Sequence, residues 1–455
     1  NPSFISYQKI WLMSYPLMIS LIIEHMIGLT DAIFLGRVGD VALGACALGG
    51  VYYMAMFMLA FGFGFGAQII IARRNGERRY NRIGPTMIQG CYFMLALAVV
   101  LFTASQYFSP IILRDIIESP QVYDATADYL HWRTYGIFFS FLCVMFRAYY
   151  VGITQTKILT INSVVMLLSN VVLNYCLIFG KGGFPVMGIA GAAIATVAAQ
   201  VLSAGLVLGV LTRSRGCYRI QWRGMRMHRG ILRNIFVVGV PSALQLAITS
   251  FSNVFVQSYV NRFASSCMAG WAAYQKIDAF VILPMTTLSV TATTFVGQNV
   301  GAGNWDRAKQ GIRCALAMAT VVTGVLLVPL MVFAQPLCTL FNQEPEVLGY
   351  GVYFIRLISP FYLVANFNQI YAGALRGAGD AKVPMVIMLG SFVVFRQLYL
   401  FVTYQVAGTL LPVALGYPVG WVVCSGVLLW YYRSGRWMAH SLVTPAGRGT
   451  DRERE

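Results

Sequence analysis

Charged residues are scarce in this chain. Asp, Glu, Lys and Arg together make up 11% of the 455 residues, whereas 58% are hydrophobic. An ordinary globular domain carries about 25% charged residues, so the composition excludes a water-soluble domain as the main body of the protein. Apolar runs recur along the whole length, and many reach the roughly 20 residues that cross a bilayer. We therefore expect an all-α, polytopic membrane protein.

Residue patterns for metal, nucleotide or covalent chemistry are also missing. The four histidines show no metal-ligand spacing, and the nine cysteines have no paired spacing suited to zinc or to a disulfide framework. We find no nucleophile with its base, no Walker motif and no cofactor fingerprint. The sequence thus predicts a protein that is not an enzyme and needs no cofactor. Without an ATP site, any transport must draw on an ion gradient.

Acidic residues are few, with 16 against 33 basic residues, and the formal net charge is +17. The arginines lie in short loops between apolar spans, where membrane topology explains them better than nucleic-acid binding does. The loop after the second span is basic, with Arg73 and Arg74, whereas the loop after the ninth has Glu344 and Glu346. The positive-inside rule places both termini in the cytoplasm of a cell (inner) membrane protein. We expect a monomer among membrane lipids, without nucleic acid.

Twelve membrane-spanning helices are predicted, and the first is expected to stay in the mature protein because the N-terminus lacks a signal-peptide pattern. The spans lie at about 9–35, 47–72, 85–107, 130–151, 158–180, 187–211, 232–259, 275–297, 311–334, 350–374, 383–405 and 410–432.

An internal repeat relates the two halves of the chain. One constant offset superposes Pro16 on Pro241, Gly152 on Gly377 and Lys157 on Lys382, among other landmarks. Because each half holds an even number of spans, the halves enter the membrane in the same sense and form parallel repeats with a cleft between them. We predict an N-terminal lobe at 1–212, a basic cytoplasmic linker at 213–231, a C-terminal lobe at 232–433 and a cytoplasmic tail at 434–455.

Ionisable and polar groups inside spans mark the candidate site of the first lobe. Glu24 and Asp31 lie two turns apart on one face of the first helix, Asn170 and Asn174 share a face of the fifth, and the sixth contributes Thr196. A carboxylate with amide and hydroxyl oxygens suits a hard cation such as Na⁺, and the same carboxylates can instead take up H⁺. Hydrogen bonding between helices is the alternative role for Asn170, Asn174 and Thr196.

The second lobe does not repeat these acids, because the offset places Thr249 opposite Glu24 and Val256 opposite Asp31. Lys276 and Asp278 are predicted to form an ion pair at the outer membrane boundary, and a gating or substrate role is the alternative. Because a charge inside a span is costly, Arg396 must either face a water-filled cavity or pair with a carboxylate. The residues that we assign to a substrate cleft are Gln245, Thr249, Asn253, Asn366, Gln369 and Asp278.

Two features of the second span have ordinary explanations. The run from Phe61 to Gly66 alternates phenylalanine and glycine but lies inside an apolar span, so it indicates helix packing rather than a phosphate loop. Tyr53, Met54 and Phe57 belong to a group of aromatic residues and methionines that either lines an adaptable cavity or packs against lipid and protein.

These features resemble the multidrug and toxic compound extrusion (MATE) family over essentially the full chain. The resemblance rests on twelve spans in two halves, on the acid fifteen residues after the first proline (Pro16 to Asp31), and on the turn Leu375–Asp380 with Lys382 and Pro384. It implies a two-lobed, V-shaped antiporter that exports cationic or amphipathic organic compounds by alternating access, driven by inward Na⁺ or H⁺. It also implies that Asp31, Asn170, Asn174 and Thr196 form the cation site beside Glu24. Asp31, Asn170 and Asn174 are the expected Na⁺ ligands if Na⁺ is the coupling ion.

The chain departs from the family pattern at two positions. Some members carry a carboxylate where this chain has Thr249, and others an aspartate where it has Asn174. Two other functions stay open: a flippase for lipid-linked precursors, which predicts extra spans or a strongly basic central cavity, and a channel or structural protein, which would need no buried acid.

Overall fold

The computed structural model describes residues 2–116, 120–213, 229–341 and 343–439, and helices dominate throughout these ranges. Within these ranges, eleven helices are long and apolar enough to cross a membrane, and a twelfth, Gly416–Ser434, follows them. The expected all-α polytopic fold is therefore confirmed. The helices are α1 (Pro2–Val38), α2 (Asp40–Gly76), α3 (Ile83–Ile116), α4 (Pro120–Gly152), α5 (Lys157–Phe179), α6 (Ile189–Arg213), α7 (Arg229–Val260), α8 (Ser265–Gly301), α9 (Trp305–Val332), α10 (Pro345–Gly377), α11 (Lys382–Val406) and α12 (Gly416–Ser434).

Local sequence explains where several of these helices begin and end. Gly180 closes α5 with a left-handed φ of 70°, and Gly435 closes α12 with a φ of 73°, a conformation that glycine adopts without a Cβ penalty. The side chain of Asn304 caps α9 by accepting a hydrogen bond from the backbone N–H of Arg307 at 3.1 Å. Helix boundaries thus follow capping residues visible in the sequence.

The internal repeat of the sequence reappears in the secondary structure. Helices α4 and α10 begin at Pro120 and Pro345, and both are interrupted by a 3₁₀ turn, Thr134–Gly136 in α4 and Ser359–Phe361 in α10. Each of these pairs shows the same offset as Pro16 and Pro241. Helix α11 also contains a π-helical stretch, Gly390–Phe395, within its span. The two halves therefore share the positions of their helix ends and of one internal break.

The chain divides into two compact units. One comprises Tyr15–Gly239, and the other joins the first residues, through Ser14, to the segment that begins at Val240. The divisions fall inside α1 and α7, just before Pro16 and Pro241. In the second unit, Ser14 in the first part of α1 donates a hydrogen bond to Thr291 at 2.8 Å. Most of the predicted linker, 214–228, and the tail from residue 440 lie outside the described residues, so those boundaries stay predictions.

Close helix contacts build the unit Tyr15–Gly239. A Cβ on Gly66 of α2 would approach the carbonyl oxygen of Ile235 to 2.5 Å, and one on Gly64 would meet Val144 at 2.8 Å. These glycines allow α2 to pack against the first part of α7 and against α4. The phenylalanine–glycine run therefore serves helix packing, as predicted.

The unit that begins at Val240 buries two arginines, Arg376 and Arg396. Arg396 is 2% exposed and donates hydrogen bonds to the carbonyl oxygens of Gly416 at 3.1 Å and Tyr417 at 3.5 Å. Its guanidinium also lies over the rings of Phe392 and Tyr417. The expectation of a wet cavity or a carboxylate partner is therefore wrong, because backbone carbonyls and aromatic faces satisfy the charge instead.

Candidate functional site

Four of the predicted residues meet in one buried cluster of the unit Tyr15–Gly239. Asn174 donates from Nδ2 to Oδ1 of Asp31 at 2.6 Å and to Oδ1 of Asn170 at 2.9 Å. Asn170 in turn donates to Oγ1 of Thr196 at 3.3 Å. All four side chains are at most 7% exposed. The i, i+4 spacing of the two asparagines brings both amides to the same face of α5, opposite α1 and α6.

The hydrogen bonds of this cluster leave oxygen atoms free. Thr196 has one hydroxyl hydrogen, which faces both Oδ2 of Asp31 at 3.2 Å and the carbonyl oxygen of Ala192 at 3.0 Å, so it serves one acceptor at a time. Oδ1 of Asn174 is buried and accepts no hydrogen bond. A buried polar atom without a partner is costly. This carboxylate–amide–hydroxyl set therefore has the chemistry and the unused acceptor that a hard cation requires.

Further hydrogen bonds hold α1 against α5 along the same face. Ser20 and Ser163 share a hydrogen bond of 2.6 Å, and Thr160 donates to the carbonyl oxygen of Pro16 at 2.7 Å. Together with the bond from Asn174 to Asp31, these contacts connect the two helices at three levels. Because one of these hydrogen bonds is made by Asp31, a change in the charge of Asp31 would alter the packing of α1 against α5.

Glu24 does not join the Asp31 cluster by a hydrogen bond. It forms an ion pair with Arg147 of α4, in which the glutamate side chain is 34% exposed and the arginine side chain 18%. Glu24 is thus neutralised by a basic partner from another helix. This pairing joins residues far apart in the chain and was not predicted from the sequence.

A second arginine of α4, Arg133, lies near the 3₁₀ break in the middle of the span. Its guanidinium stacks 3.7 Å from the ring centroid of Tyr53 and donates to Oε1 of Gln200 at 3.2 Å. Tyr53 shares a hydrogen bond of 2.5 Å with Ser140. Arg133 is the last residue of the helical segment Pro120–Arg133, where a positive charge interacts favourably with the helix dipole.

These groups line one cavity of ≈ 600 Å³ within this unit. Its charged lining residues, among those described, are Asp31, Glu24, Arg133 and Arg147. Apolar side chains complete the wall, including Tyr53, Met54 and Phe57 of α2. With as many acids as arginines, the lining lacks the strongly basic character that the flippase alternative predicts.

The predicted ion pair in the other unit is wrong. Asp278 accepts hydrogen bonds from the hydroxyl groups of Tyr362 and Tyr274, whereas Lys276 lies over the ring of Phe341 at 5.4 Å. Residues two positions apart on a helix point in different directions. The two side chains of α8 therefore have separate surroundings.

The remaining predicted cleft residues are dispersed over α7 and α10. Gln245 donates to Sδ of Met388 at 2.9 Å, Asn366 to Thr323 at 3.0 Å, and Gln369 to its neighbour Asn368 at 3.1 Å. A buried side-chain oxygen of Thr249 and one of Asn253 accept no hydrogen bond. In the part of the chain that the structure describes, no hydrogen bond joins these residues to one another, and their assignment to substrate stays a prediction.

Arg133 and Arg147 are the lining residues that sequence reasoning missed. Both lie within the predicted fourth span and are fourteen residues apart, about four helical turns, so they share a face. Arginines inside a span are functional candidates in their own right, and this signal was sufficient to select them. The described residues contain no group of three or more His, Cys, Asp or Glu side chains able to hold a metal ion.

Comparison with known proteins gives matches over nearly the whole chain. The MatE family model matches residues 16–176 and again residues 241–402, so its two matches begin at the equivalent prolines Pro16 and Pro241. The chain is 27% identical over 425 residues to the probable multidrug resistance protein YoeA of Bacillus subtilis, covering 92% of this chain and 91% of that protein. It is 22% identical over 441 residues to the probable multidrug resistance protein NorM of Thermotoga maritima, covering 95% and 93%.

Solved structures share the fold. A MOP superfamily transporter from Pyrococcus furiosus superposes with a TM-score of 0.89 at 21% identity, over 95% of this chain and 96% of that one. A multidrug resistance MATE family transporter in an outward-facing conformation superposes with a TM-score of 0.87 at 22% identity, with the same coverage. The family model that matches both halves of the chain agrees with the fold shared with these transporters.

Proposed function

The chain belongs to the MatE family, and we propose that it is a secondary active antiporter that exports cationic or amphipathic organic compounds. Export is coupled to inward flow of Na⁺ or H⁺. The observation that carries this proposal is the buried Asp31 cluster, in which a carboxylate, two amides and a hydroxyl meet. Asp31 and Thr196 of this cluster line a cavity. The relatives YoeA and NorM, named as probable multidrug resistance proteins, support the class of substrate.

The mechanism follows from the contacts of Asp31. Binding of a cation or a proton changes the charge that Asn174 and Thr196 stabilise, and with it the contact of α1 with α5 and α6. Two packings of this unit that differ in their affinity for the ion and for the organic compound couple the two fluxes. Asp31, Asn170 and Asn174 supply the Na⁺ ligands if Na⁺ is the coupling ion. We place both termini in the cytoplasm and propose a monomer in a cell (inner) membrane.

Purified protein in proteoliposomes tests this function. Sodium and proton gradients are imposed separately, and the accumulation of labelled tetraphenylphosphonium is followed. We expect accumulation against its concentration gradient under at least one ion gradient, and loss of accumulation when an ionophore collapses that gradient. Counterflow of the labelled cation identifies a carrier. Passive flux without counterflow, or no response to either gradient, contradicts the proposal.

A further inference from the structure

The cavity of the unit Tyr15–Gly239 contains one cation and one anion that do not neutralise each other by direct contact. Of its four charged residues, Glu24 and Arg147 form an ion pair. Asp31 is bound by the neutral side chains of Asn174 and Thr196. Arg133 forms no salt bridge with any carboxylate in the described ranges. Asp31 and Arg133 attract each other electrostatically without forming an ion pair, so each can still bind an oppositely charged group of a ligand.

The partners of Arg133 leave most of its hydrogen-bonding capacity unused. A guanidinium has five N–H donors in a planar fork. Here it donates to Oε1 of Gln200, stacks on the ring of Tyr53 and interacts with the hydroxyl of Tyr53. The ring covers one face and removes water without supplying a counter-charge. A guanidinium held in this way is suited to bind a planar carboxylate with two parallel hydrogen bonds.

The local sequence builds this arrangement specifically. The 3₁₀ turn Thr134–Gly136 follows Arg133 directly, and Thr134 donates its hydroxyl hydrogen to the carbonyl oxygen of Leu130 at 2.9 Å. A Cβ on Gly136 would overlap Oε1 of Gln200 and would lie 3.0 Å from Nη1 of Arg133. Only glycine at this position allows Gln200 to approach the arginine as closely as it does. The break in α4 and the absent side chain of Gly136 together position the guanidinium.

We propose that Arg133 is a specificity-determining residue, whose guanidinium binds the carboxylate of those exported compounds that carry one besides their cationic group and apolar body. The cationic group lies towards Asp31, the carboxylate binds Arg133, and apolar residues such as Met54 and Phe57 contact the body between them. This inference rests on the proposed function in one respect, since it takes this cavity as the site of the exported compound.

Binding of two matched dyes tests the carboxylate subsite at Arg133 independently of transport. Rhodamine B carries a cationic ring system and a carboxylate, whereas its ethyl ester is purely cationic. Equilibrium binding of both dyes is measured by fluorescence anisotropy on purified protein in lipid nanodiscs, for the wild type, Arg133→Gln and Gln200→Glu. The second variant keeps the arginine but places a carboxylate on it. Arg114→Gln, which removes an exposed arginine of the same unit, is the control.

We expect both variants to weaken rhodamine B binding about tenfold or more, the loss typical of one hydrogen bond to a charged group. Binding of the ethyl ester should change less than about twofold, and Arg114→Gln should affect neither dye. Equal losses for both dyes in Arg133→Gln would assign the arginine to charge balance with Asp31 and overturn the subsite. Unchanged rhodamine B binding in either variant, or a wild type that binds neither dye, also overturns it.

Transport of the same dyes separates this inference from the proposed function. If the dyes bind with the expected selectivity but no ion gradient drives their movement in proteoliposomes, the antiporter function fails and the subsite stands. If the ethyl ester is exported under a gradient while Arg133→Gln leaves rhodamine B binding intact, the function stands and the subsite fails.

Discussion

At the position of Asp31 in α1, the equivalent residue of α7 is Val256, which is fully buried in an apolar cluster with Trp271 and Tyr362. Where α6 has Thr196, α12 has Trp421, which packs against the same cluster. The two units thus share helix ends and differ in what fills the equivalent space: a polar cluster beside a cavity in one, and aromatic side chains in the other.

The difference shows that the residues that determine the helix arrangement are not the residues that determine the chemistry of each unit. Proline, glycine and capping residues determine where helices begin, break and end, and these signals recur at the offset that relates Pro16 to Pro241. The polar cluster depends on side chains from three helices that need not be conserved for the fold to form. One unit can therefore lose, or never acquire, an ion site while its helices keep their arrangement.

Replacement of Asp31 has the largest expected effect. Asp31→Asn keeps the size of the side chain but removes the charge that binds the ion, so gradient-driven export should fall about 100-fold or more, the upper range of coupling between two ligands. Export is measured in proteoliposomes at equal protein content. Asp124→Asn, an exposed aspartate of the same unit, is the control and should retain full export. Undiminished export in Asp31→Asn would remove the functional distinction between the units.

An acid introduced at the equivalent position should destabilise the protein instead of creating a second site. Val256→Asp places an unpaired carboxylate in an apolar cluster, which costs about 3–5 kcal/mol. The melting temperature in detergent micelles should fall accordingly, and Val256→Asn should fall less because it carries no charge. A stable Val256→Asp protein whose export acquires a second coupled ion would show that the second unit retains a latent site.

How much of the fold and of the candidate site could be predicted from the sequence depends on how far apart in the chain the interacting residues lie. Helix ends such as Pro120 and Gly152 follow from local residues, and the meeting of Asn170 with Asn174 follows from helical spacing. The ion-pair partner of Glu24 and the backbone carbonyls that bind Arg396 could not be predicted, because they come from other helices. For Lys276 and Asp278, proximity in sequence was misleading, since residues two positions apart on a helix lie on different sides of it.

Two glycines at equivalent positions give a smaller contrast. A Cβ on Gly377 would overlap the backbone carbonyl of Thr293, whereas one on Gly152 would first meet a side chain, Cγ2 of Ile71 at 2.6 Å, with the nearest backbone atom, the carbonyl oxygen of Gln68, at 3.3 Å. Gly377→Ala should therefore cost about 1–3 kcal/mol of stability and Gly152→Ala less than about 1 kcal/mol. Thermal unfolding of both variants in one detergent compares them directly, and equal losses would contradict the difference in packing.

The smallest effect concerns Glu24, for which two roles make opposite predictions. Glu24→Gln releases Arg147, whose charge then faces the cavity. If Glu24 only neutralises that arginine, rhodamine B binding should rise about two- to fivefold, the worth of a partly exposed charge pair, and the double variant Glu24→Gln with Arg147→Gln should return to the wild-type affinity. If Glu24 itself carries the coupling ion, gradient-driven export falls in both variants and is not restored by the second substitution. The pair of measurements thus decides whether the ion chemistry of this unit resides in Asp31 alone or extends along α1 towards Glu24.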